Sequence, residues 1–290
     1  MSAHRSSVGH SGRRPLVSVQ ELGDGPPLVL VHGLGTTQRI WSLVVRALAA
    51  DRRVITLDLP GFGDSAPAGD GFELPDVVER VARALAARGV RAPFDLVGHS
   101  LGGAVALTLA VRRPRLVRRL VLVAPAGLQA PTRVPPSVLG AGAEGLFAVR
   151  RALAPLTDLA WGRRLLLAFA ADDGATLTPA QARMMVEASA GAQRIAPALT
   201  TIAAADLRPL LQRSRAPLGL MWGAEDRAVP RRLAGEIRRR RPDAQLEVIA
   251  HAGHVPMIEK PDQFSAALRR LLSRLDKLAT RSGRGARRLR

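Results

Sequence analysis

Residues Phe94 to Gly103 read FDLVGHSLGG. The run Phe94–Val97 suits a strand buried on both faces, because apolar side chains dominate it. Leu101 to Val111 is rich in Ala and Leu, closes at Pro114 and suits a helix. Between them Gly98-His99-Ser100-Leu101-Gly102 fits the pattern G-x-S-x-G. A strand that folds straight back into a helix needs glycine at both flanking positions, since a side chain at Gly98 or Gly102 would clash in the turn. Ser100 then projects from the turn at the C-terminal edge of a sheet. The N–H of Leu101 opens the helix, where unpaired donors favour negative charge. Ser100 is therefore the candidate nucleophile.

Outward from this turn, short apolar runs alternate with helical patterns. Leu28–Val31, Val54–Leu57, Leu120–Val123, Leu218–Trp222 and Leu246–Ile249 read as further buried strands. Trp41 to Ala50, Val77 to Ala87, Leu233 to Arg240 and Pro261 to Leu275 carry apolar residues at helical spacing. Alternation of this kind predicts an α/β chain with a mostly parallel sheet and helices on both faces. Residues 126–215 break the rhythm with helical patterns and no convincing strand. That length is too great for a loop, so the segment reads as a helical cap inserted after the fourth buried strand. The predicted organisation is a mobile basic tail over 1–14, a core over 15–125 and 216–275, the cap over 126–215, and a second mobile basic tail over 276–290.

A serine hydroxyl needs a base to take its proton and a third group to orient that base. Acid and histidine are expected downstream, each just past a strand, in the order Ser, acid, His. Trp222-Gly223-Ala224-Glu225-Asp226-Arg227 follows one strand and His251-Ala252-Gly253-His254 another. Asp226 is preferred over its neighbour Glu225, which is expected to point the other way. His254, in a Gly-flanked turn, is preferred over His251, which is expected to pack or hydrogen-bond locally. His99 is a poor base, because the turn sends consecutive side chains apart. His32-Gly33-Leu34-Gly35 follows the first buried strand, and its Leu34 N–H can partner that of Leu101 as an oxyanion donor. His32 itself reads as a structural histidine.

LVLVHGLG (Leu28–Gly35), LDLPGFGDS (Leu57–Ser65), LVGHSLGG (Leu96–Gly103), WGAEDRAVP (Trp222–Pro230) and HAGHVPMIEKP (His251–Pro261) together resemble the α/β-hydrolase-fold proteins of the capped esterase and epoxide-hydrolase-like branch. The resemblance covers about residues 16–275 and is only architectural across the insertion. It implies the α/β-hydrolase fold, with Ser100 as nucleophile, His254 as base, Asp226 as its orienting acid, and Leu34 and Leu101 as oxyanion donors. It implies no metal and no cofactor. Epoxide hydrolases and haloalkane dehalogenases carry Asp where this chain has Ser100, and the chain has no Tyr to activate an epoxide. The activity expected is hydrolysis of small or medium carboxylic esters through an acyl-enzyme. Cleavage of a carbon–carbon bond or perhydrolysis runs on the same three residues, and a hydrolase-like binding protein without catalysis is the alternative of another class. Asp58 and Asp64 read as structural members of the LDLPGFGDS turn.

Composition bounds the rest. The 290 residues hold no cysteine, which excludes disulfides and thiol chemistry. The longest apolar run, Leu165 to Ala171, is far too short to span a bilayer. No secretory signal is legible at the N-terminus, so the expected location is cytoplasmic. The net charge of +19 could suggest a nucleic-acid partner, yet nine of those charges fall in residues 1–14 and 277–290. Only Lys260 and Lys277 are lysines, and aromatic residues for base stacking are scarce. A small-molecule substrate is expected and a specific nucleic-acid partner is not. Apolar residues of the insertion, among them Phe147, Leu165 and Phe169, read mostly as helix packing, with a minority facing Ser100. The pairs Arg150-Arg151 and Arg163-Arg164 read as solvated faces.

Overall fold

A computed structural model describes residues 14–67, 69–129 and 134–288, with side chains to Leu278. The strands are β1 (Val19–Leu22), β2 (Pro27–Val31), β3 (Arg53–Leu57), β4 (Phe94–His99), β5 (Val117–Val123), β6 (Leu218–Gly223) and β7 (Gln245–Ile249). They form one sheet in the order β1-β3-β2-β4-β5-β6-β7. β1 runs antiparallel to β3, and all other neighbours are parallel. The parallel strands are largely apolar runs because the pleat feeds two cores. Val29, Val31, Leu96 and Leu120 face one side with α2 (Leu74–Ala87), α3 (Leu101–Arg112) and α9 (Arg232–Arg240). Leu28, Leu30, Val97 and Val121 face the other, with α1 (Ser42–Leu48), α10 (Pro256–Glu259) and α11 (Pro261–Arg288). Burying one such side chain contributes roughly 1.5–3 kcal/mol, so the strands are fixed by both layers at once.

The chain leaves β2 for β3 on one side and returns to β4 on the other. That reversal opens a crevice at the C-terminal ends of β2 and β4, where ligands bind in open α/β sheets. Ser100 and Leu34 both lie just past those two strand ends.

Between β5 and β6 the described residues contain no strand. They form α4 (Pro136–Ala152), α5 (Ala160–Leu166), α6 (Pro179–Glu187), α7 (Ile195–Ala204) and α8 (Arg208–Arg213), joined in part by short 3₁₀ turns.

Three features depart from the sequence reading. β7, expected to be buried, is an edge strand in which only Ile249 is buried. β1 is a seventh strand, missed because Gln20 and Glu21 break any apolar run in VQEL. α11 continues to Arg288, past the helix end expected at Leu275. Up to Leu278 the helix is packed down, with Leu275 buried and Leu278 against the same core. The N-terminal tail lies outside the described residues except for Arg14, whose guanidinium donates to the Gly63 carbonyl at 3.3 Å.

A buried ion pair sits inside the sheet. Asp95 of β4 and Arg119 of β5 are register partners, both 1% exposed. The guanidinium takes the carboxylate in a two-pronged grip, with Nε to Oδ1 at 2.7 Å and Nη2 to Oδ2. Arg52 adds a bond to Asp95 at 2.8 Å, and the Leu272 carbonyl of α11 accepts from Arg119 at 2.7 Å. These contacts tie the last helix to the centre of the sheet.

Candidate active site

Ser100 stands between β4 and α3 with φ 52° and ψ −115°. A non-glycine residue in that region is strained and persists only where its surroundings over-determine it. Here its N–H donates to Val123 at 2.9 Å, and its carbonyl accepts from Gly103 at 2.9 Å and Ala126 at 3.0 Å. The flanking glycines are required by close approach. A Cβ on Gly98 would run into the Gly102 carbonyl, and one on Gly102 into the carbonyls of Val31 and His32.

The HGLG loop lies directly beside the serine. A Cβ placed on Gly33 would sit 3.1 Å from the Ser100 Cβ. The amide of Leu101 opens α3 and so has no intrahelical acceptor. Leu34 and Leu101 line the same cavity as Ser100. His32 is fully buried and fixes this loop. Its Nδ1–H donates to the Gly33 carbonyl at 2.8 Å, which leaves Nε2 to accept from the Leu59 N–H at 2.9 Å. Burial holds this imidazole below its usual range, partly offset by Asp58. Asp58 in turn accepts from the Gln38 and Asp64 amides at 2.7 and 3.0 Å, so it organises the turn rather than facing the cavity.

Asp226 and His254 meet from two loops. Asp226 follows β6, and its side chain is sealed from solvent. Its Oδ1 accepts from the amides of Ala228 at 2.9 Å and Val229 at 2.8 Å, while Oδ2 meets His254 Nδ1 at 2.8 Å. The Trp222 indole holds the same loop by donating to the Val229 carbonyl at 2.8 Å. A carboxylate at Nδ1 selects the tautomer with its proton there, which leaves Nε2 of His254 able to accept one.

The loop carrying His254 is held on several sides. Glu225 both donates its N–H to the Ala252 carbonyl and accepts the Ala252 N–H on its carboxylate, each at 3.0 Å. Glu259 accepts from Gly253 at 2.8 Å and from Asp172 at 2.7 Å, and burial pushes its carboxyl above the usual range. The His254 N–H donates to the Ala170 carbonyl at 2.9 Å. His99 is buried against it, ring centroids 4.7 Å apart, and its Nε2–H donates to the His254 carbonyl at 2.8 Å. Burial, with His254 adjoining, keeps His99 well below its usual range. His251, expected to pack or bond locally, is instead exposed at φ 54°.

Ser100 and His254 open onto one cavity of about 890 Å³, roofed by the helical segment between β5 and β6. That is within the range that holds a drug-sized ligand. The expectation that only a minority of the segment's apolar residues face Ser100 is corrected: Leu139, Leu146, Phe147, Leu153, Leu165 and Phe169 all line the cavity. Two of the four paired arginines depart from solvated faces, while Arg164 is exposed as expected. Arg163 is buried and donates to the Thr157 carbonyl at 2.9 Å, and Arg150 lines the cavity. Glu259 was missed too. It lies within HAGHVPMIEKP, but nothing local in that stretch marks a carboxylate that reaches backbone amides on both sides. Among the described residues no group of three or more His, Asp or Glu is disposed to hold a metal ion.

The model of the alpha/beta hydrolase family matches residues 28–267. The chain is 33% identical over 86% of its length to pimeloyl-[acyl-carrier protein] methyl ester esterase of Aeromonas hydrophila, covering 96% of that protein. It is 35% identical over 84% of its length to the dihydrolipoyllysine-residue acetyltransferase component of an acetoin cleaving system of Pseudomonas putida, but spans only 63% of that protein. Among solved structures it resembles a meta-cleavage product hydrolase of Pseudomonas fluorescens with TM-score 0.68 and 26% identity, covering 92% of this chain and 98% of that one. With the serine turn, the histidine loop and the doubly covered sheet, these matches make the chain a hydrolase that belongs to the alpha/beta hydrolase family.

Proposed function

We propose that this chain hydrolyses small or medium carboxylic esters through an acyl-enzyme on Ser100, with the helical segment over 126–215 acting as the cap that selects the substrate. The observation that carries the reading is the 2.8 Å bond from Asp226 to Nδ1 of His254, on the rim of the cavity that Ser100 also lines. Ser100 Oγ attacks the acyl carbonyl while Nε2 of His254 takes its proton. The carbonyl oxygen gains charge and is held by the N–H groups of Leu34 and Leu101, which together stabilise the tetrahedral state. His254 then protonates the leaving oxygen, and the alcohol departs. Water repeats the sequence, with His254 as base, and frees the acid. His254 carries positive charge transiently, and the buried Asp226 carboxylate offsets it.

A fluorophosphonate probe tests the nucleophile directly. It is expected to label the parent chain at a single peptide containing Ser100 and to leave Ser100→Ala unlabelled. Labelling that persists in Ser100→Ala defeats the assignment. Likeness to a meta-cleavage product hydrolase supports a second reading, cleavage of a carbon–carbon bond on the same residues. Comparing p-nitrophenyl esters with a vinylogous diketone acid separates the two.

A further inference from the structure

Among the described residues Arg150 is the charged residue of the cavity wall, and ester hydrolysis does not use it. It lies on α4, three residues after Phe147, so both side chains share one helix face. Its guanidinium carbon stands 5.5 Å from the centre of the Phe147 ring. That ring packs onto Gly35 so tightly that a Cβ there would overlap it. Gly35 follows Leu34 in the HGLG loop, so Arg150 is one aromatic ring away from the oxyanion donors.

Beyond the Phe147 ring, no carboxylate among the described residues answers the charge there. Among the described residues no Asp or Glu lines the cavity, and Arg150 is its only Arg or Lys. The Nε of Arg150 is sealed from solvent without a hydrogen-bond partner, and no ion pair joins the residue to a carboxylate among the described residues. Burial alone holds the guanidinium below its usual range. The stem of Arg150 lies on the apolar cavity wall while its Nη groups stay accessible. Two other arginines of this chain show how such a charge is met when the protein itself answers it. Arg163 also has a sealed Nε, but its Nη1 donates to the Thr157 and Asp158 carbonyls at 2.9 and 3.1 Å. Arg119 is answered by Asp95. Of these three arginines only Arg150 has no hydrogen-bonded or ionic acceptor among the described residues, and its Nη groups, unlike its Nε, are not sealed.

The direction of the acyl chain decides what reaches this charge. The leaving oxygen must face Nε2 of His254, which protonates it. The remainder of the acyl group then has the cavity past the oxyanion loop to run into, where Phe147 packs onto Gly35. We propose that Arg150 binds a carboxylate at the far end of the acyl chain, so that the preferred substrates are half-esters of dicarboxylic acids. This rests on the ester-hydrolase reading for the scissile end only. A single cation among the described lining residues suits a monoanion rather than a phosphate dianion, and its planar fork matches a carboxylate.

The test compares mono-p-nitrophenyl suberate with p-nitrophenyl octanoate, equal in chain length and differing in the terminal group. The ratio of kcat/KM, carboxylate over methyl, is expected to fall about ten- to a hundredfold in Arg150→Met, the range for a lost hydrogen bond to a charged group. Arg150→Lys is expected to recover part of it. A ratio within twofold of the parent overturns the proposal, provided melting curves show the variant folded. Calorimetric binding of monomethyl suberate to Ser100→Ala, with and without Arg150→Met, gives a readout independent of turnover. If the parent hydrolyses no ester yet binding weakens with Arg150→Met, the carboxylate site stands and the hydrolase reading falls. If esters turn over but neither ratio nor binding responds to Arg150, the carboxylate site falls and the hydrolase reading stands.

Discussion

Asp226→Asn changes one atom, and the geometry says which way the new side chain must turn. In the parent, Oδ1 accepts two amide N–H groups at 2.9 and 2.8 Å and Oδ2 meets His254 Nδ1 at 2.8 Å. The amide of Asn has one acceptor and one donor end. With its oxygen toward Ala228 and Val229, both amide bonds survive and the NH₂ faces His254. With its NH₂ toward those amides, donors face donors in a sealed site, and two N–H groups lose their acceptor at about 1–3 kcal/mol each. The first arrangement wins by at least about 2 kcal/mol. It has a consequence for His254: an NH₂ at Nδ1 requires that nitrogen to be bare, so the proton moves to Nε2. An imidazole protonated there accepts nothing from Ser100. The expected loss in kcat is about 10⁴-fold, with the fold retained. Release of p-nitrophenol from p-nitrophenyl butyrate near neutral pH reads the loss, and a melting curve checks folding. Activity within tenfold of the parent would refute the tautomer argument and Asp226 with it.

The packing sets three further outcomes. Gly102→Ala drives a Cβ into the carbonyls of Val31 and His32 and should cost more than about 4 kcal/mol, visible as loss of soluble, cooperatively melting protein; a variant that melts like the parent contradicts the tight turn. Arg119→Met strands Asp95 with Arg52 alone and should cost about 3 kcal/mol in urea unfolding, most of it regained in Arg119→Met with Asp95→Leu; an unrecovered double variant would place the loss in shape rather than charge. Glu259 has its folded value raised by burial, so above about pH 4.3 the folded chain still holds a proton that the unfolded chain has lost. Its contribution to stability therefore falls as pH rises through that window, and the unfolding free energy of Glu259→Gln minus that of the parent should climb with pH; a flat difference between about pH 4 and 7 speaks against a raised carboxyl.

The buried strands were legible because each is a largely apolar run between turn signals, and the serine turn because strand, glycines and helix adjoin without a gap. β1 was not, since Gln20 and Glu21 break any apolar run in VQEL; β7 is an edge strand with one buried residue too, but Leu246, Val248 and Ile249 kept it legible. The helix end at Leu275 was misjudged because Ser, Gly and Arg dominate the C-terminal residues after it, while the anchors of that region, Arg119 to the Leu272 carbonyl and Leu278 on the core, come from tertiary contact. Arg150 looked like half of a charged pair on a solvated helix. Only the position of α4 over the HGLG loop makes it part of a cavity. Glu259 was equally hidden, because one of its amide partners, Asp172, sits on a distant segment.

The stitching of the histidine loop carries a lesson for engineering. His254 hangs from Ala170, and Glu259 ties Gly253 to Asp172, so two of its supports belong to the very segment that roofs the cavity. Trading that roof for one from a relative would therefore loosen the His254 loop unless residues 170–172 travel with it or stay behind. Under the function proposed above, the choice of substrate and the proton transfer would share a hinge pin, and drift in one would constrain the other.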